Sequence, residues 1–156
     1  RHTDSLSAKL PETLSFMLEA TACASLRRAG YTVTYKMHPS SRTNLHAALG
    51  SLADEVDASH FDACRHDHDC LIFDYAGSAF FDALATNGGI VLIDTGNRPL
   101  DQNARHDLGE RCQIVETVVD EQNRITFDPV ALATAIEIAI QQSEFPTSFY
   151  EKYFTA

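Results

Sequence analysis

The chain of 156 residues has no tryptophan, only 12 lysines and arginines against 22 aspartates and glutamates, and only 4 cysteines. Each shortage removes a class of function. A formal net charge of -10 argues against a nucleic-acid backbone as partner, because such binding rests on a basic surface that releases counterions. Any anionic ligand must therefore find a locally basic pocket. No run of about 18 apolar residues is present to span a bilayer. Cys23, Cys64, Cys70 and Cys112 are spread through predicted helices and strands, with no Cys-x-x-Cys pair, which predicts reduced thiols in a cytosolic setting. Gly-x-Gly-x-x-Gly and Walker A loops are absent, which argues against a dinucleotide oxidoreductase and a P-loop enzyme. The Gly-x-Ser-x-Gly elbow of serine hydrolases is absent too.

What is present is an alternation of helix and strand. Leu14, Met17, Leu18, Cys23 and Leu26 recur at helical spacing, predicting a helix from Pro11 to Gly30 with the glycine as its stop. Tyr31–Met37 alternates apolar and polar residues as a strand does, until Pro39 ends it. A short helix is expected over Asn44–Leu52. Cys70–Phe73 and Ile90–Ile93 are apolar at every position, as central parallel strands require. Between them Ser78–Thr86 reads as a helix closed by Asn87-Gly88-Gly89. Further helices are expected over Pro99–Leu108, with Pro99 in the first turn, over Asp128–Gln142, and over Pro146–Phe154; a brief strand is expected at Gln113–Val115.

This pattern predicts a single α/β domain over residues 1–156: a Rossmann-like parallel sheet with helices on both faces. A helix before any strand leaves two expectations open. Either a first strand lies upstream of Arg1, making the chain a fragment of a longer protein, or the domain starts on a helix.

Open parallel sheets bind ligands outside the carboxyl ends of their strands. Two polar loops are expected at that edge: Lys36-Met-His38-Pro39-Ser40-Ser41-Arg42, and Asp74-Tyr-Ala-Gly77-Ser78. In the second, Gly77 would let a ligand approach the backbone, Ser78 would cap the following helix, and the helix's first N–H groups would attract a phosphate. The plainer reading is a turn followed by an N-cap, and composition does not separate the two. Ser78 and Asp82 lie four apart on one helical face, where a carboxylate could accept ribose hydroxyls. Asp74 ends a strand, and Lys36 and Arg42 offer the positive charge that an acidic protein needs for an anion. The segment from His60 to Cys70 is rich in histidine and cysteine, but its spacing matches no paired-ligand framework and it enters the strand from the amino end, so no metal is expected there.

Tyr35-Lys-Met-His38-Pro39-Ser40 and Asp69-Cys-Leu-Ile-Phe-Asp74-Tyr-Ala-Gly-Ser78-Ala-Phe-Phe-Asp82-Ala-Leu-Ala-Thr-Asn-Gly-Gly-Ile-Val-Leu-Ile93 together resemble the carboxy-terminal, donor-binding lobe of two-lobed (GT-B) transferases. The resemblance, over Tyr31–Phe154, is to bacterial surface-polysaccharide transferases and CDP-glycerol glycerophosphotransferases. It implies a glycosyltransferase or glycerophosphotransferase making a capsule or teichoic-acid-like polymer, with a CDP- or UDP-linked sugar or alditol phosphate as donor. The acceptor would be a glycan or polyol phosphate, and the acceptor lobe lies outside this chain. No cofactor or metal is required by that scheme. It further implies a cytoplasmic enzyme, peripherally associated with the cytoplasmic face of the membrane. Carried over by residue, His38 is the catalytic contact to the donor phosphates, Gly77 and Ser78 hold the same group with Lys36 and Arg98 as further donors, and Asp74 and Asp82 meet the ribose or donor. The sequence departs from that pattern at Gly77, where a serine is usual, and at Asn87-Gly88-Gly89, where Lys-Pro is common. Thr95-Gly-Asn-Arg98-Pro99 also resembles a loop of UDP-N-acetylglucosamine 2-epimerases, a second enzymatic expectation. A non-enzymatic α/β interaction module is the third.

Overall fold

Strands that are apolar on both faces can be buried only between two layers, and the computed structural model builds those layers. It describes residues 12–37, 48–97, 99–142 and 144–154. The elements are α1 (Glu12–Arg28), β1 (Thr34–Lys36), β2 (Glu55–Asp57), α2 (Phe61–Cys64), β3 (Cys70–Phe73), α3 (Ser78–Ala83), β4 (Gly89–Asp94), α4 (Gln102–Gly109), β5 (Gln113–Val119), β6 (Ile125–Phe127), α5 (Pro129–Gln141) and α6 (Ser148–Phe154). The main sheet has the order β3-β4-β5-β6, with β3, β4 and β5 parallel and β6 antiparallel to β5. β1 and β2 pair in parallel as a separate two-stranded sheet.

Successive side chains of a strand point to opposite faces, and β4 divides its residues accordingly. Val91 and Ile93 join Leu18 and Leu26 of α1 with Leu132 and Ile136 of α5 in one core. Ile90 and Leu92 join Phe80 of α3, Leu108 of α4 and Phe149 of α6 in the other. Helices therefore cover both faces, as expected from the sequence. All four cysteines are free thiols, and Cys23, Cys64 and Cys112 are buried.

Several boundaries differ from the expectation, each for a local reason. The helix predicted from Pro99 begins instead at Gln102, because Asp101 is the N-cap: its carboxylate accepts from the N–H groups of Asn103 and Ala104, both at 3.0 Å. Asp128 caps α5 in the same way and Pro129 opens it, as predicted. β2 and β6 were not foreseen. Glu55-Val56-Asp57 carries charge on both sides of one valine and earns its strand only from the ladder to β1. β6 pairs with a β5 that continues to Val119, and the hairpin turn is built on Asp120, whose carboxylate accepts from Gln122 N, Arg124 N and Arg124 Nε, with Asn123 at φ 59°. Residues 48–50 are helical; the rest of the amino-terminal half of the helix expected over Asn44–Leu52 lies outside the described residues.

The join from α3 to β4 is held by a residue that periodicity does not flag. Arg111 is 1% exposed, and its guanidinium donates to the carbonyls of Leu84 (3.1 Å), Thr86 (2.7 Å) and Gly88 (3.0 Å) while lying 5.1 Å from the Phe145 ring. These carbonyls belong to the turn between α3 and β4, and a cation satisfies three of them at once. At the next residue, a Cβ on Gly89 would sit 2.9 Å from the backbone C and O of Ala139, so β4 and α5 approach too closely for any side chain.

Gly89→Ala is expected to cost about 1–3 kcal/mol, the range for overpacking a core. Gly109→Ala, at a helical position with nothing within 4 Å of the added Cβ, is expected to stabilise by about 0.5–1 kcal/mol. Urea denaturation of the two variants checks the pair; equal effects of one sign would contradict the packing described.

Candidate functional site

The apolar runs of β3 and β4 each end on an aspartate, Asp74 just beyond β3 and Asp94 as the last residue of β4. Because the strands are parallel neighbours, both acids arrive at the same carboxyl edge of the sheet. A shallow, solvent-open cleft lies there, lined by Asp74, Tyr75, Asp94 and Thr95 over an apolar floor that includes Leu92 and Leu100.

The two acids are held differently. Arg105 of α4 bridges Asp94 and Glu116 of β5 with its two terminal nitrogens. Asp94 Oδ1 also accepts from Gly96 N at 2.9 Å, in a turn where Gly96 takes φ +71°. Among the described residues no cation pairs with Asp74: its Oδ2 lies 3.2 Å from Ser15 Oγ of α1, and burial raises its carboxyl above its ordinary value. The same Ser15 hydroxyl is 2.9 Å from Glu19 Oε1, and Tyr35 of β1 donates to Glu19 Oε2 at 2.8 Å. Burial, reinforced by the Glu19 carboxylate, raises the Tyr35 phenol and keeps it protonated.

Gly77 and Ser78 follow at the same edge, but Ser78 does not cap α3. Gly77 occupies the N-cap position in extended backbone at φ -100°, no side chain caps the helix, and Ser78 is its first helical residue, exposed. The sequence-based role for Ser78 as a cap is therefore corrected: residue 77 is the cap position and has no side chain to offer. Gly77 has a packing reason of its own. A Cβ there would meet the Tyr75 ring at 2.8 Å and 2.9 Å, and Gly77 N donates to Tyr75 O at 2.9 Å, so the loop turns tightly around the ring. Asp82 is exposed one turn along α3.

Lys36 is placed elsewhere. Its ammonium donates to the carbonyls of Met37 and Asp57, both at 3.4 Å, and to that of Ser59. It thereby ties the end of β1 to the chain leaving β2. Beside it, hydrogen bonds from the Ser59 hydroxyl and amide hold the Asp57 carboxyl down at about 2. His38, Arg42 and Arg98 lie outside the described residues. Thus Asp74, Gly77 and Ser78 come together, Asp82 stands one turn away, and Lys36 is committed to carbonyls.

In the His60–Cys70 segment, Phe61–Cys64 is helical, so Cys64, His66, His68 and Cys70 do not line one face of an extended strand. Among the described residues no three His, Cys, Asp or Glu side chains are grouped to hold a metal ion. Sequence reasoning missed Asp94, Arg105, Ser15 and Glu19. For Asp94 a signal existed: Gly89–Asp94 repeats the arrangement of Cys70–Asp74, an apolar strand closed by an aspartate.

Lys36→Met is expected to lower stability by about 1–3 kcal/mol, the range for hydrogen bonds to a charged group, whether or not nucleotide is present. Unchanged denaturation by urea would mean the ammonium is free for a ligand. No protein-family model, curated protein or solved structure matches this chain.

Proposed function

We propose that the chain is a Rossmann-like, GT-B-type donor-binding lobe, and that its cleft takes a CDP- or UDP-linked sugar or alditol phosphate for transfer to a cell-surface polymer. The observation that supports this reading is positional. The cleft lies beyond the carboxyl ends of two adjacent parallel strands, where such sheets bind ligands, and the loop from Asp74 to Ser78 leads from it into the first turn of α3.

In this reading the backbone N–H groups at Ser78 and the residues after it meet the donor phosphate, and His38 and Arg98 supply the charge. Lys36, tied to the carbonyls of residues 37, 57 and 59, contributes by fixing the end of β1 instead. Asp82, exposed on α3, accepts ribose hydroxyls. Transfer would be driven by electrostatic stabilisation of the departing nucleotide phosphate, with the acceptor and any general base supplied by a second lobe.

A second reading is favoured by one observation: among the described residues two carboxyl side chains, Asp74 and Asp94, line the cleft and no cation does, so its lining offers a phosphate no counter-charge. That arrangement suits a non-enzymatic α/β module whose partner is not an anion.

Calorimetric titration with CMP, CDP, UDP and GDP separates the two. The transferase reading expects saturable binding of one nucleotide, weakened about tenfold or more, or about 1.4 kcal/mol, by His38→Ala and by Ser78→Pro, which removes the amide at a first helical position that tolerates proline. Absence of binding to all four, or binding indifferent to both substitutions, would favour the module.

A further inference from the structure

A serine hydroxyl owns one hydrogen. Ser15 Oγ nevertheless lies within hydrogen-bond distance of two carboxyl oxygens, Glu19 Oε1 at 2.9 Å and Asp74 Oδ2 at 3.2 Å. If both acids were ionised, Ser15 could serve only one, and the other would face the hydroxyl oxygen lone pair to lone pair. Both contacts become hydrogen bonds if one acid carries a proton and donates it to Ser15. We propose that Asp74 and Glu19 hold one shared proton through Ser15, resident on Asp74, and that it fastens α1 to the carboxyl end of β3 at the wall of the cleft.

The surroundings decide which acid is neutral. Tyr35 donates to Glu19 Oε2 at 2.8 Å, a hydrogen bond that favours the ionised form of Glu19. Among the described residues Asp74 has no such tyrosine donor beside it, only the Ser15 hydroxyl, and burial raises its carboxyl. The groups around the pair are Ser15 and Cys23 from α1, Tyr35 from β1, and Asp94 from the end of β4 across the cleft. Of the described cations on the neighbouring elements, Arg27 of α1 is paired with Asp54, Lys36 is bound to carbonyls, and Arg105 is paired with Asp94 and Glu116. The chain therefore runs from Asp74 O–H to Ser15 Oγ, from Ser15 O–H to Glu19 Oε1, and from Tyr35 O–H to Glu19 Oε2.

The sign of the pH dependence follows. A carboxyl raised on folding stabilises the native state below its ordinary range, and that stabilisation is lost as pH rises through the folded value. Ionising Asp74 also places it beside Glu19 with one hydroxyl hydrogen between them, so α1 loosens from the cleft on the alkaline side. This holds whether or not the cleft binds a nucleotide.

The test is carboxyl-carbon NMR titration of the intact chain, with Asp74 assigned by comparison with Asp74→Asn. Asp74 is expected to inflect above the ordinary carboxylate range, and Glu19→Gln, whose amide can donate to Ser15 and release its hydrogen to Asp74, is expected to move that inflection downward. In thermal unfolding, Asp74→Asn, which keeps a donor for Ser15 without an ionisable proton, is expected to gain on wild type as pH rises through the Asp74 inflection. Inflection within or below the ordinary range, or an inflection that Glu19→Gln does not move, overturns the shared proton.

Discussion

The constraint on which this structure depends is the burial of β4 on both faces. From Gly89 to Ile93 every residue is buried, and its alternate side chains anchor two separate cores, one roofed by α1 and α5, the other by α3, α4 and α6. Such a strand has no solvated face to forgive an error, so both roofs must be present and close. The bare Cα of Gly89 lets α5 approach, and the Arg111 guanidinium satisfies the carbonyls where the chain leaves α3 to enter the strand. Removing a buried cation from such a cage leaves polar groups with neither water nor partner, the costly half of any buried hydrogen bond.

The candidate site lies where that burial ends. Asp94 is the first residue of β4 to reach solvent, Asp74 the first beyond β3, and the cleft is the space between the loops that follow them. Their two environments set the chemistry. Arg105 gives Asp94 a counter-charge and locks it to Glu116, whereas Asp74 meets only neutral and acidic groups among the described residues and is raised by burial. One wall of the cleft is thus an ion pair and the other is fastened to α1 through hydroxyls. The proposed site is therefore asymmetric, with a counter-charged carboxyl on one side and a carboxyl held by a serine hydroxyl on the other.

Much of this was legible in the sequence, and the rest was hidden for identifiable reasons. Ile90–Ile93 announced itself because two-sided burial leaves an unbroken apolar run; Cys70–Phe73, equally apolar, is a strand but a half-buried one at the sheet edge instead of the centre; and Asp128-Pro129 announced α5 because an N-cap and a first-turn proline are local chemistry. β2 was invisible because its three residues have no apolar face; only the ladder from β1 makes them a strand. The grouping of Asp74, Gly77 and Ser78 was legible, being continuous in sequence. The carboxyl cluster was not: Ser15 and Asp74 are 59 positions apart, and nothing in either neighbourhood points to the other. The ties of Lys36 were hidden for the same reason, since the carbonyl of Ser59 that it meets lies 23 residues away. Gly77 shows the converse: its neighbour in space is its neighbour in sequence, and its nearest need is room for the Tyr75 ring.

The central claim is that ligand binding belongs to the carboxyl edge of β3 and β4. Amide chemical-shift mapping of the ¹⁵N-labelled chain, titrated separately with CDP and UDP, tests it most directly. The account predicts saturable shifts concentrated at residues 74–78 and 94–96, with β2 and the β5–β6 hairpin unmoved. Saturable shifts centred anywhere else, or no shift with either nucleotide, would contradict it.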